Sequence, residues 1–107
     1  MNEIPMEHLE RAARGMCDKL RAVFPDLQIT LLENVMQFVW NGMTVQVMAD
    51  SFWAHPTVVC WFVNASHSNG NFMHCEGTPL ADRALIDVGT AIEFAMRSGD
   101  PIRDERG

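Results

Sequence analysis

Four histidines (His8, His55, His67, His74) and three cysteines (Cys17, Cys60, Cys75) are the side chains of this 107-residue sequence that could hold a metal or act as nucleophiles. His67 and His74 flank an Asn69-Gly70 pair, a strong hairpin signal. If that pair fills a two-residue turn, His67 pairs with Phe72 and His74 with Ala65. The two imidazoles then share a face and stand diagonally, within reach of one metal. Zinc would need two further ligands, from Glu76, Cys60 or His55, and no familiar ligand spacing joins them. A small-ligand or metal site around His67 and His74, with hydrolytic activity, is therefore the alternative reading. Surface or loop histidines are the simpler one.

The cysteines are odd in number and unrelated in spacing, so they form neither a disulfide framework nor a Cys-x-x-Cys site. They read as reduced thiols of a cytoplasmic protein. Cys60, inside "VVCWFV", and Cys17, beside a helical apolar stripe, read as core. Cys75 is the most exposed of the three, points away from His74, and has no cation nearby in sequence to lower its pKa. There is no Gly-x-Ser-x-Gly elbow and no carboxylate pair that stands out as acid and base. Gly77 precedes a helix start without a glycine-rich loop, so anion binding there has little support. The expectation is a non-enzymatic protein without a cofactor.

The elements that position these residues follow from periodicity. Pro5 to Phe24 carries Met6, Leu9, Ala13, Met16, Leu20 and Val23 at three- and four-residue steps, an amphipathic helix that Pro25 ends. "LQITLLE", "VMQFVW" and "MTVQVM" then alternate as a three-stranded meander with turns at Glu33-Asn34 and Asn41-Gly42. One face holds Leu27, Ile29, Leu31, Met36, Phe38, Trp40, Met43, Val45 and Val47. The other holds Gln28, Thr30, Leu32, Val35, Gln37, Val39, Thr44, Gln46 and Met48, with Thr30, Gln37 and Gln46 in one cross-strand row. "ADSFWAHP" reads as a connector. "TVVCWFV", apolar on both parities, reads as a strand buried on both sides. A second hairpin leads into "NFMHCE". Thr78 then caps a second helix with Pro79 at its first position and an apolar face of Ala81, Ala84, Leu85, Val88, Ala91, Ile92 and Ala95. Gly99 suits the residue after its end.

The order is α-β-β-β-β-β-α. The fold class expected is α+β: two layers, an antiparallel five-stranded meander sheet with an N-terminal and a C-terminal helix packed on one face. Residues 1–100 form one domain and 101–107 a disordered polar tail.

Charge narrows the function. The net charge is −6, and all eight Lys and Arg lie at Arg11, Arg14, Lys19, Arg21, Arg83, Arg97, Arg103 and Arg106. Between Ala22 and Asp82 stand five acids (Asp26, Glu33, Asp50, Glu76, Asp82) and no base. Phosphate backbones are held by Lys and Arg, so nucleic acid is not the expected partner. Met1 to Pro25 carries charges throughout and no apolar core of a signal peptide. "NAS" at Asn64 would be a glycosylation acceptor only on a secretory route. No run of apolar residues is long enough to span a membrane.

The far sheet face offers Gln, Thr, Val, Leu and Met and almost no charge. Contact surfaces are depleted in charge in this way. The expectation is a protein-binding face of Gln28, Thr30, Gln37, Val39, Thr44 and Gln46, with Trp53, beside Phe52, either a lid over the core or an anchor at the rim of this face. Its occupant would be a second copy, as a homodimer, or a basic host protein; otherwise a loop or the tail covers it. Trp40 and Trp61 read as core.

The α-β-β-β-α start resembles double-stranded-RNA-binding domains, but the basic residues such domains need are missing. In size, acidity and its helix-then-meander start the chain resembles type III secretion chaperones, which bind unfolded effector segments. The middle helix of those chaperones is absent or reduced to Ser51–Pro56. Small acidic α+β proteins are also frequent among phage and mobile-element inhibitors of host defence, and the chain is similar to them in size and charge.

Overall fold

The computed structural model describes residues 4–40, 42–52, 54–68, 70 and 72–98, with the side chains of all of these except 55, 56 and 94–98. Trp53, Gly99 and the tail 101–107 lie outside the described residues.

Helix α1 (Met6–Val23) buries Leu9, Ala13, Met16, Cys17 and Leu20, a three- and four-residue repeat that makes one continuous stripe. Pro5 stands just before the first turn, and its carbonyl accepts the first helical bonds from His8 and Leu9. Met6 and Val23, at the two ends of the stripe, are exposed.

Five strands follow: β1 (Thr30–Leu32), β2 (Val35–Trp40), β3 (Met43–Phe52), β4 (His55–His67) and β5 (Phe72–Thr78). They lie in sequence order in one antiparallel sheet. The first two turns each hold two residues, since Leu32 pairs with Val35 and Trp40 with Met43. Glu33 occupies the left-handed region at φ 55°, where most side chains crowd the backbone, and Gly42 does so without that cost at φ 81°. β1 is shorter than its alternation suggests: Leu27 is buried but donates its N–H to Phe24, and Gln28 and Ile29 precede the strand.

"ADSFWAHP" is not a connector. β3 continues through Phe52 and β4 begins at His55, with Phe52 paired to His55 and a bulge between Asp50 and Phe52. Between the Asp50–Cys60 and Phe52–His55 pairs β3 supplies only Ser51 while β4 supplies four residues, 56–59, so three extra residues on β4 break the alternation and the stretch reads as irregular.

Helix α2 (Ala81–Ser98) begins two residues later than its cap signal implies. Thr78 instead ends β5, paired with Trp61, while its hydroxyl accepts the Leu80 N–H.

Helix α1 touches β1, β2 and β3, and α2 touches β3, β4 and β5. Both lie on one face, so this is a two-layer α+β fold. The core between the layers joins Leu9, Ala13, Met16 and Leu20 of α1 to Met36, Phe38, Met43, Val45, Val47, Trp61 and Val63 of the sheet and Ala84, Val88 and Ala91 of α2. The alanines let α2 sit close to the strands. Trp40 packs against this core from its margin. Double burial of β4 holds for Cys60, Trp61 and Val63, whereas Phe62 is partly open and Val58 exposed. Among the described residues no helix long and apolar enough to cross a membrane is present.

Candidate functional site

The sheet register writes out the far face residue by residue. Thr30 pairs with Gln37, Gln37 with Gln46, Gln46 with Asn64, and Asn64 with His74. One polar row therefore crosses all five strands. On one side runs Leu32, Val35, Met48 and Phe62; on the other, Val39, Thr44, Ser66 and Phe72. These three rows contain no Lys, Arg, Asp or Glu. Asp50 and Glu76 stand at their margin.

Two side-chain hydrogen bonds hold the polar row. Gln46 Nε2 donates to Gln37 Oε1 at 3.0 Å. His74 Nδ1 is bonded to Asn64 Oδ1. An amide oxygen only accepts, so Nδ1 carries the proton, and in the neutral ring Nε2 is left as an acceptor.

Large apolar side chains stand exposed on this face: Leu32 at 72%, Val39 at 63% and Phe72 at 65%. Between β3, β4 and β5 the face sinks into a shallow cleft of about 460 Å³, lined by Thr44, Gln46, Asn64, Ser66, Phe72 and His74. At the other end Phe62 meets Phe52 edge to face, with ring centroids 5.5 Å apart. The Phe62 ring also lies over Gly77, so close that a Cβ there would meet it at 2.4 Å. An aromatic ring covering a neighbouring strand's glycine compensates for the missing side chain.

Of the residues expected on the contact face, the register brings together Thr30, Gln37, Val39, Thr44 and Gln46. Gln28 is exposed but precedes β1, and Trp53 lies outside the described residues. Asn64, Ser66 and Phe72 belong to the same face and were not expected there. Their alternation in "NASH" and "NFMHCE" is visible, but the side that Asn64 and Ser66 face is set by the β3–β4 pairing, and the side that Phe72 faces by the length of the loop after β4.

That loop also corrects the histidines. Ser66, not His67, pairs with Phe72, and Asn64, not Ala65, pairs with His74. Five residues separate the closing pair instead of four. This one-residue slip moves the side chains from Phe72 to Cys75 to the opposite face, and an irregularity between Trp61 and Val63 restores the expected pairing at Thr78. His74 therefore joins the far face, while His67, paired with Met43, has the parity of the core face. The two imidazoles are not brought together. Among the described residues, no group of three or more His, Cys, Asp or Glu side chains is arranged to hold a metal.

A second cluster lies between α2 and β5. Asp87 is a buried charge, 5% exposed, on the sheet-facing stripe of α2. Arg83, one turn earlier, places Nε 3.2 Å from Asp87 Oδ1. Cys75, on the core face of β5, donates its thiol proton to the same carboxylate. Burial pushes the Cys75 thiol above its ordinary value; repulsion from Asp87 and this hydrogen bond add to it, and Arg83 opposes it. The result is a protonated, weakly nucleophilic thiol. Cys60 is buried apart from the main core, and burial raises its thiol as well. Cys17 is buried and Cys75 is the most open of the three. The Arg83-Asp87 spacing of four is visible in sequence, but a charge beside Ala84 and Val88 reads as surface until the thiol opposite is placed.

Comparison with known proteins finds no matching family model, no matching curated protein and no matching solved structure. The functional reading therefore rests on the surface itself.

Proposed function

We propose that this chain is a non-enzymatic protein-binding module whose contact surface is the uncharged far face of the sheet. The observation that carries the reading is the joint exposure of Leu32, Val39 and Phe72 around a polar row free of charge. Large exposed apolar side chains spread around a centre without charge are characteristic of contact surfaces. The acids at the margin and the absence of Lys and Arg between Ala22 and Asp82 favour a basic partner, whose encounter they would accelerate. An inhibitor or adaptor of such a protein fits this description, including one of phage or mobile-element origin or one that acts like a secretion chaperone.

The test is the double variant Gln37→Lys, Thr44→Lys. Two cations in the middle of the face should abolish association and leave the circular dichroism spectrum and melting temperature near those of the parent. Light scattering behind a sizing column, compared with quantitative affinity capture, separates the occupants. A parent mass near 24 kDa, twice the 12.1 kDa chain, that the variant loses assigns the face to a second copy. A monomer that retains a foreign protein which the variant releases assigns it to that partner. Association equal in parent and variant sinks the reading.

A further inference from the structure

Resting on that contact-face reading, we propose that the cleft between β3, β4 and β5 is a receptor for the guanidinium of an arginine side chain carried by a basic partner protein. The two hydrogen bonds of the polar row use up some of its polar atoms and leave others open. Gln46 spends a donor on Gln37, leaving its own Oε1 as an acceptor. His74 spends its Nδ1 proton on Asn64, leaving Nε2 as an acceptor. Asn64 Oδ1 retains a second lone pair, and no side-chain hydrogen bond occupies the Ser66 or Thr44 hydroxyl among the described residues. The cleft lining thus offers oriented acceptors on Gln46, Asn64 and His74, with the amide N–H donors of Gln46 and Asn64 and two rotatable hydroxyls beside them.

Phe72 adds a flat, exposed ring to the same cleft. The group that matches acceptors beside an aromatic face is planar, cationic and composed only of donors. Guanidinium has five N–H donors and no acceptor, and it stacks on aromatic rings. An ammonium group is compact and strongly hydrated, and cannot use the ring and several acceptors at once. A nucleotide would bring phosphate to a surface on which no base stands between Ala22 and Asp82. Glu76 lies two residues beyond His74 on the same strand, and its charge favours a cation beside the cleft.

The experiment titrates the full-length, isotope-labelled chain with N-acetyl-arginine-N-methylamide and follows backbone amide resonances. The citrulline and lysine derivatives serve as controls. Citrulline keeps the shape but replaces one donor by an acceptor and removes the charge. The expected result is a saturable shift confined to Thr44, Gln46, Asn64, Ser66, Phe72 and His74, about tenfold weaker with citrulline and with lysine. Phe72→Ala and Gln46→Lys should each remove it. Phe72 is largely exposed, so its replacement leaves the core intact, and Gln46→Lys provides an independent check. No saturable shift at tens of millimolar, equal response to citrulline, or shifts located elsewhere overturns the proposal. So does a dimer whose formation closes the cleft to the probe. If the cleft rejects arginine while the double-lysine variant still loses a partner, the inference fails and the contact face stands. If arginine binds while that variant changes no association, the contact face fails instead.

Discussion

Arg83 and Asp87 are joined one turn apart on α2, with the carboxylate inside the helix–sheet interface and the guanidinium largely outside it. The Cys75 thiol approaches the same carboxylate from the strand below. A buried carboxylate only accepts hydrogen bonds, so these two donors are what make its burial tolerable. Arg83→Ala should destabilise the fold by about 1–2 kcal/mol, the part-exposed position holding the loss to the lower range for a buried group left without its partner. Replacing the pair together, as Arg83→Met with Asp87→Leu, should cost less than Arg83→Ala alone. Urea denaturation of the three proteins checks the order. A double variant less stable than the single one would show that the pair contributes net stability of its own.

Gly77 and Phe62 make the second prediction. A methyl group at position 77 would stand 2.4 Å from Phe62 Cε2 and 2.7 Å from Cζ. The ring must turn away, losing its edge contact with Phe52. Gly77→Ala should therefore lower stability by about 1 kcal/mol, the low end for overpacking, because the tip of a part-open ring can move aside. The same change in a Phe62→Leu background should cost much less. Equal losses in both backgrounds would place the strain in the backbone and not in the ring.

The thiols predict a pH dependence. Cys75 and Cys60 are both raised above the ordinary value of 9.0, chiefly by burial. Above that pH the unfolded chain releases thiol protons that the folded chain retains. The native state then binds more protons, so stability falls as pH rises past 9.0 and is complete below it. Thermal melts between neutral pH and pH 10 should show this decline, and Cys75→Ala with Cys60→Ala should flatten it. At neutral pH all the thiols of the native chain should react with a disulfide reagent more slowly than those of the denatured chain. A fast native thiol would contradict the placement of Cys75 beside Asp87.

What could be read from the residues depended on turn length. Leu32-Glu33-Asn34-Val35 and Trp40-Asn41-Gly42-Met43 close over two residues, so the alternation of β2 and β3 fixes both faces and the row from Thr30 through Gln37 to Gln46. The continuation of that row to Asn64 and His74 was not legible. Asn69-Gly70 marks a turn but not its length, and the extra residue between Ser66 and Phe72 reverses the parity of Phe72 to Cys75. The irregularity after Asp50 hid the end of β3 in a similar way, because three extra residues on β4 between His55 and Cys60 break the period of two. Asp87 was hidden differently: its partner Cys75 is distant in sequence, and only the packing of α2 on β5 brings them together.

Because every strand pairs only with its neighbours in sequence, no ladder has to wait for a distant segment to return. Each hairpin closes a short loop, and each completed strand is a template for the next, so the sheet can zip from either end or from the middle. This is the arrangement that keeps the entropy of loop closure small and refolding fast. The helices close the sequence of events: α1 needs β1 to β3 beneath it, and α2 needs β3 to β5. A nascent chain emerging amino end first would thus have a seat for α1 before β4 exists, while α2 would be the last piece to dock.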